Sequence, residues 1–153
     1  MDTFIDLCRA YVTLTSQAAE VLKTHDLSVS QYNVLRIIRG HGGVLASGEI
    51  GGRMVWPSSD LTRLLDGLER RGLIERERGT EDRRVVFIHL TPLAAKLLRL
   101  LDAPMEKLHK TQFAGLSSRK MGDLRALLQH FASPTPPAES PGEAPRKGHR
   151  APR

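Results

Sequence analysis

SSDLTRLLDGLERRGLIERERGTEDRRVVFIHLTPLA, residues 58–94, holds the pattern on which the fold turns. Its first part is helical. Leu61, Leu64, Leu65 and Leu68 recur at the three- and four-residue spacing of one helix face, and Gly72 stops the run. Pro57, just upstream, suits the first position of a helix, where its missing N–H is no loss, so the spacing predicts a helix over 58–71. Two β-prone runs follow, 73–78 and 85–90. In the second, Val86, Ile88 and Leu90 alternate with Phe87 and His89, as a half-buried strand requires. The polar loop Gly79-Thr80-Glu81-Asp82-Arg83-Arg84 separates them, so a two-stranded hairpin is expected. Thr91-Pro92 then reads as a cap followed by proline at a first helical position.

Upstream, Ser28 and Gln31 form an S-x-x-Q capping box, with Leu27 and Tyr32 at the staple positions. The helix so opened runs through Val34, Leu35 and Ile38 and stops at the glycines of 40–43. Residues 47–55 predict a short, weak helix, since Gly51 and Gly52 each cost roughly 1 kcal/mol relative to Ala. Residues 3–24 carry Phe4, Cys8, Tyr11, Ala18 and Leu22 at helical spacing. Downstream lies a Leu-rich helix, 93–108, in which Pro104 is expected to kink or divide the run. A last helix starts near Ser117 and carries Met121, Leu124, Leu127, Leu128 and Phe131. Residues 133–153 hold six of the nine prolines and no large apolar side chain. They predict a disordered, mildly basic tail that solubilises the chain or touches nucleic acid non-specifically. The expected folded body is 1–132, with the helix pair and hairpin of 28–91 at its centre.

The composition narrows the function. The chain has 153 residues, 40% hydrophobic and 26% charged, enough for a core of Leu, Val, Ile and Ala. Lys plus Arg exceed Asp plus Glu by 23 to 17, a formal charge of +6 that suits a polyanionic partner. One cysteine excludes an internal disulfide framework and every multi-cysteine zinc module. No apolar run is long enough for a membrane span. Asp2 and Asp6 stand where a signal peptide would be basic, so a cytoplasmic protein is expected.

Two helices joined by a tight turn and followed by a charged hairpin describe a winged helix-turn-helix, whose second helix enters a major groove. With the leucine stripe turned inward, about 100° per residue points Ser59, Arg63, Asp66 and Arg70 away from the core. Ser58 opens this helix and Thr62 flanks the outward face. An arginine there reads guanine through O6 and N7. The helix itself is neutral: Arg63, Arg70 and Arg71 balance Asp60, Asp66 and Glu69. A solvated helix with ordinary ion pairs is therefore the plain alternative. The hairpin adds Arg76, Arg78, Arg83 and Arg84. An arginine at its tip would enter a minor groove, and a neighbouring carboxylate, Glu81 or Asp82, would hold its guanidinium in one pose.

The run L-T-R-L-L-x-x-L-E-R-R-G-L-I-x-R from Leu61, then D-R-R from Asp82, then L-T at Leu90, resembles the MarR family of bacterial transcriptional regulators. The similarity extends over about residues 3–131. It implies a mainly α fold with a small β-hairpin wing: a winged helix-turn-helix plus N- and C-terminal dimerisation helices. It implies a homodimer on palindromic DNA, 58–71 as recognition helix, Arg84 as the minor-groove arginine and Asp82 as its partner. Repression of transcription, relieved by a small, often phenolic or anionic effector, is the usual mode. The sequence departs from the family pattern at Glu49-Ile50-Gly51-Gly52, at Trp56, at the acidic Asp60 and at Leu93-Ala94.

Other residues carry less. Cys8 sits at an apolar helical position and reads as packing, although peroxide-sensing relatives place a reactive cysteine in this helix. The six histidines show no metal-ligand spacing, and no cofactor motif or nucleophile–base pair is present, so neither a metal centre nor an enzyme is expected. The leucines of 93–108 exceed what one chain can cover, which favours a dimer. The expected function is a sequence-specific DNA-binding regulator, a ligand-responsive repressor acting as a homodimer. The alternative is a winged-helix module that binds proteins and has lost specific DNA binding.

Overall fold

The computed structural model describes residues 1–54 and 60–132. The elements are α1 (Asp2–Lys23), α2 (Val29–Gly40), β1 (Val44–Ala46), α3 (Ser47–Arg53), α4 (Leu61–Arg70), β2 (Ile74–Arg78), β3 (Val86–Leu90), α5 (Pro92–Gln112) and α6 (Ser118–Ala132). They fall into two compact units, Met1–Ala114 and Gly115–Arg153. The expected tail, 133–153, lies outside the described residues.

Local chemistry sets the helix boundaries. The Ser28 hydroxyl accepts from Gln31 N–H at 3.1 Å, and the Gln31 side chain accepts from Ser28 N–H at 3.1 Å, a complete capping box. Leu27 and Tyr32, the staple pair, are both buried. Thr91 caps α5 by accepting from Ala94 N–H at 3.2 Å, and its hydroxyl donates to the Gly72 carbonyl at 2.8 Å. One buried hydroxyl thus ties the start of α5 to the turn that ends α4. That turn needs Gly72, whose φ of +64° favours glycine.

The core unites the elements of the first unit. Leu22 of α1, Leu35 and Ile38 of α2, Ile50 of α3, Leu68 of α4, Ile74 and Ile88 of the sheet, and Leu98 and Leu101 of α5 are all fully buried. Each contributes about 1.5–3 kcal/mol through removal from water. Arg39 of α2 donates two hydrogen bonds to Asp102 of α5, at 3.0 and 2.8 Å, across the same helix pair. In the second unit, α6 leaves Leu127, Leu128 and Phe131 exposed.

Three expectations need correction. The expected hairpin is there, β2 pairing antiparallel with β3, but it is not alone: β1, which the sequence analysis did not assign, joins it in a sheet of order β1-β3-β2, with Leu45 opposite Ile88. Pro104 does not divide α5, which runs unbroken through it. The buried face of α5 is Ala94, Leu98, Leu101 and Met105, so Pro104 and Leu100 lie on the solvent side, where water can serve the carbonyl that proline leaves without a partner. Asp60 is not inside the fourth helix but at its N-cap position, where the backbone has left the helical region at φ −124° and ψ 23° and the side chain makes no capping hydrogen bond. The predicted start at Pro57 and Ser58 lies outside the described residues.

Candidate nucleic-acid interface

The outward face of α4 is as its leucine stripe requires. Leu65 and Leu68 are buried, and Leu61 and Leu64 pack against them, while Thr62, Arg63, Asp66 and Arg70 are exposed. Ser58 and Ser59 lie outside the described residues. Arg63 stands 3.3 Å from Asp60, with its side chain 82% exposed. Such a surface pair is worth about 0–1 kcal/mol, so the guanidinium is easily released to a better partner. Arg70 and Arg71 differ although they are neighbours. Arg70 makes one long contact, 3.4 Å to the Asp66 carbonyl. Arg71 reaches back to the turn between α1 and α2 and donates to the Asp26 carbonyl and, at 2.9 Å, to that of His25.

Asp66 has a partner that the sequence analysis did not assign. Arg76 of β2 places Nη1 2.6 Å from Asp66 Oδ1 and 2.7 Å from Glu69 Oε2. The signal was present in the alternation of β2: Arg76 shares a strand face with the buried Ile74, so it points at α4 rather than into solvent.

The wing loop is held by backbone. Gly79 N–H donates to the Val85 carbonyl at 2.9 Å, and Val85 N–H to that of Asp82 at 3.1 Å. Asp82 Oδ1 accepts from the backbone N–H of Arg84 at 2.9 Å. The expected grip of Asp82 on the Arg84 guanidinium is replaced by an Asx turn. A carboxylate reaches its own backbone two residues on with less loss of freedom than it needs to immobilise a long side chain. Arg83 and Arg84 are exposed and make no ion pair among the described residues.

A cavity of about 320 Å³ lies between α1, α2 and α5. Leu14, Ala18, Leu22, Val29 and Met105 supply apolar wall, and Asn33, Arg36, His109 and Gln112 supply polar groups. Asn33 Nδ2 is buried there without a hydrogen-bond acceptor among the described residues. The Arg36 guanidinium lies 5.8 Å from the centre of the Tyr32 ring, and burial pushes the Tyr32 phenol above its ordinary pKa. Nothing in the local sequence marks this cavity, because its lining comes from three distant segments.

The model of the MarR family matches residues 27–86, from the staple leucine of α2 to the start of β3. A MarR transcription factor of Planctomyces limnophilus, known from its crystal structure, is 34% identical, with 84% of this chain and 94% of that one covered and a TM-score of 0.66. The chain belongs to the MarR family. It is a winged-helix transcriptional regulator of the DNA-binding class, and its relatives are regulators rather than enzymes. The homoprotocatechuate degradative operon repressor of Escherichia coli is 26% identical, with 83% of this chain and 85% of the repressor covered. Bordetella bronchiseptica BpsR, whose DNA binding is regulated by 6-hydroxynicotinic acid, shares the fold at a TM-score of 0.78 and 20% identity, with 87% of this chain and all of that one covered. No described helix of this MarR-family chain is long and apolar enough to cross a membrane.

Proposed function

We propose that this MarR-family chain is a homodimeric repressor that reads palindromic operator DNA and releases it when a small anionic or phenolic compound binds. The observation that carries the DNA reading is the division of labour among its arginines. Arg63 on α4 is exposed and weakly held, and Arg83 and Arg84 on the wing are exposed and make no ion pair among the described residues. Thr62, Arg63, Asp66 and Arg70 would face the major groove, and Arg84 the minor groove, with Asp82 shaping the loop beneath it. Ser58 and Ser59 stand just before the helix in the sequence and complete the proposed set. Dimerisation is supported by apolar surface that water would otherwise meet: Phe4, Leu7, Tyr11 and Val12 of α1, and Leu127, Leu128 and Phe131 of α6.

The effector reading rests on the cavity. An apolar chamber with one arginine, one phenol and an unsatisfied buried amide suits a flat ring bearing an acceptor group, since the Asn33 donor gains the bond it lacks. The repressor role follows the naming of the Escherichia coli relative. The deciding experiment measures binding to genomic operator fragments and to random duplex by fluorescence anisotropy, with and without aromatic carboxylic acids. Arg63→Ala should weaken operator binding by about 1–3 kcal/mol and random binding far less. Arg36→Ala should abolish release by the acid and leave operator affinity intact. Equal loss on both duplexes, or release that survives Arg36→Ala, would overturn the respective halves of the proposal.

A further inference from the structure

Recognition helix α4 carries two carboxylates, Asp66 and Glu69, and both bind one guanidinium from another element. Arg76 Nη1 lies 2.6 Å from Asp66 and 2.7 Å from Glu69, and Nη2 lies 3.4 Å from the Thr62 carbonyl. Its side chain is 26% exposed, against 82% for Arg63. It therefore belongs to the seam between β2 and α4, not to the surface that a nucleic acid would touch. Its strand face explains the placement: Ile74, on the same face, is buried against the core. A guanidinium at this position has no route to solvent as open as that of Arg78, and the two carboxylates satisfy it.

The charges matter because the partner is a polyanion. B-DNA carries one negative charge per roughly 1.7 Å of axis. Asp66 puts a negative charge on the face of α4 that would enter it and the half-exposed Glu69 a second one at its edge, and like charges brought together cost affinity. Arg76 removes one of those charges and pins both carboxylates back against the wing. We propose that Arg76 is a positioning residue for DNA binding: it touches no nucleotide, and by cancelling one of the two carboxylate charges and holding Asp66 and Glu69 back it lets α4 approach the phosphates. The inference rests on the reading of α4 as the helix that enters the groove.

The test uses the full chain, with a random duplex for the Arg76 set and an operator fragment for the Arg63→Ala reference. Arg76→Met should bind the duplex about tenfold more weakly at ~0.1 M salt, because two carboxylates are left bare. Arg76→Met combined with Asp66→Asn and Glu69→Gln should return to within about threefold of wild type, since the repulsion has gone with its source. A role limited to bracing would not be rescued this way, and a triple variant as weak as the single one would overturn the proposal. Asp66→Asn with Glu69→Gln, Arg76 intact, should bind more tightly than wild type, because both negative charges have gone. That arm does not depend on how any Arg76 variant folds, and weaker binding in it would also overturn the proposal. Arg63→Ala serves as the reference. If it weakens operator binding while the Arg76 set changes nothing, this inference alone falls. If none of the variants alters DNA binding, the reading of α4 falls with it.

Discussion

Gly79→Ala isolates the wing from the rest of the molecule. A Cβ built on Gly79 would stand 2.6 Å from the Asp82 carbonyl oxygen, with the Asp82 carbonyl carbon and the Val85 oxygen at 3.5 Å. Non-bonded carbon contacts settle near 3.5 Å, so one atom must move by most of an ångström. The obstacle is backbone and cannot rotate away. It is also the carbonyl that accepts the Val85 N–H, and it belongs to Asp82, whose carboxylate forms the Asx turn that places Arg84. Two exposed hydrogen bonds are put at risk, each worth about 0.5–1.5 kcal/mol net. Backbone strain adds to them, so the local cost is about 1–3 kcal/mol.

That cost should stay local, because no side chain of 79–85 belongs to the buried core. The expected result is a DNA affinity lower by about tenfold, or 1.4 kcal/mol, as Arg83 and Arg84 lose their placement. The melting temperature should fall by no more than about 2–12 °C, since a domain of this size loses roughly 2–4 °C per kcal/mol. Anisotropy titration on one duplex, beside a circular dichroism melt, gives both quantities. Wild-type affinity would show that wing geometry does not carry binding. A collapse of the melt would show that the loop is part of the cooperative core.

Other variants probe separate parts of the same argument. Arg84→Ala should reduce DNA binding most at operators with A·T-rich flanks and change stability by no more than about 0.5 kcal/mol, checked by paired titrations and a melt. Asp82→Asn, which keeps an acceptor for the Arg84 N–H, should bind DNA at least as well as wild type, whereas Asp82→Ala should lose several-fold; equal loss in both would restore the guanidinium as its target. The Arg39 hydrogen bonds hold the Asp102 carboxyl below its ordinary value, so the bridge contributes above about pH 4 and is lost as pH falls through the lowered value. Asp102→Asn should therefore trail wild type in urea at pH 7 by up to about 1 kcal/mol, discounted for exposure, and converge with it in strong acid; a gap that persists there would mean lost packing.

What was legible in the sequence was local. The Ser28/Gln31 box and the Thr91-Pro92 start are satisfied within a few residues, so composition at fixed spacing decided them. Strand β1 was not legible, because three residues after a glycine turn form a strand only where β3 offers them a ladder. Asp82 was legible as the partner of Arg84, but what it holds is the Arg84 backbone N–H rather than the guanidinium that the resemblance implied. Arg76 was visible as a charge in the wing, and only the contact of β2 with α4 turns it toward Asp66 and Glu69. The cavity depends on the meeting of α1, α2 and α5, and no window of sequence contains it.

Counting arginines therefore misleads, since the same residue type does opposite work at adjacent positions. Arg70 and Arg71 end α4 side by side. Arg71 spends its guanidinium on the His25 and Asp26 carbonyls, closing the start of α2 against the end of α4. Arg70 holds one long contact and otherwise faces solvent. Hydrogen bonds from a charged donor contribute about 1.5–3 kcal/mol when shielded and less when exposed. Arg71→Ala should thus cost roughly 1 kcal/mol of stability, while the dependence of DNA affinity on salt stays unchanged, because no phosphate contact is lost. Arg70→Ala should leave the melt unchanged and lower the salt slope by about 0.9 for each phosphate it neutralises. Salt titrations and melts on the two variants suffice. If Arg71→Ala flattened the salt dependence, the end of α4 would open on DNA, and the distinction between structural and nucleic-acid arginines would not survive binding.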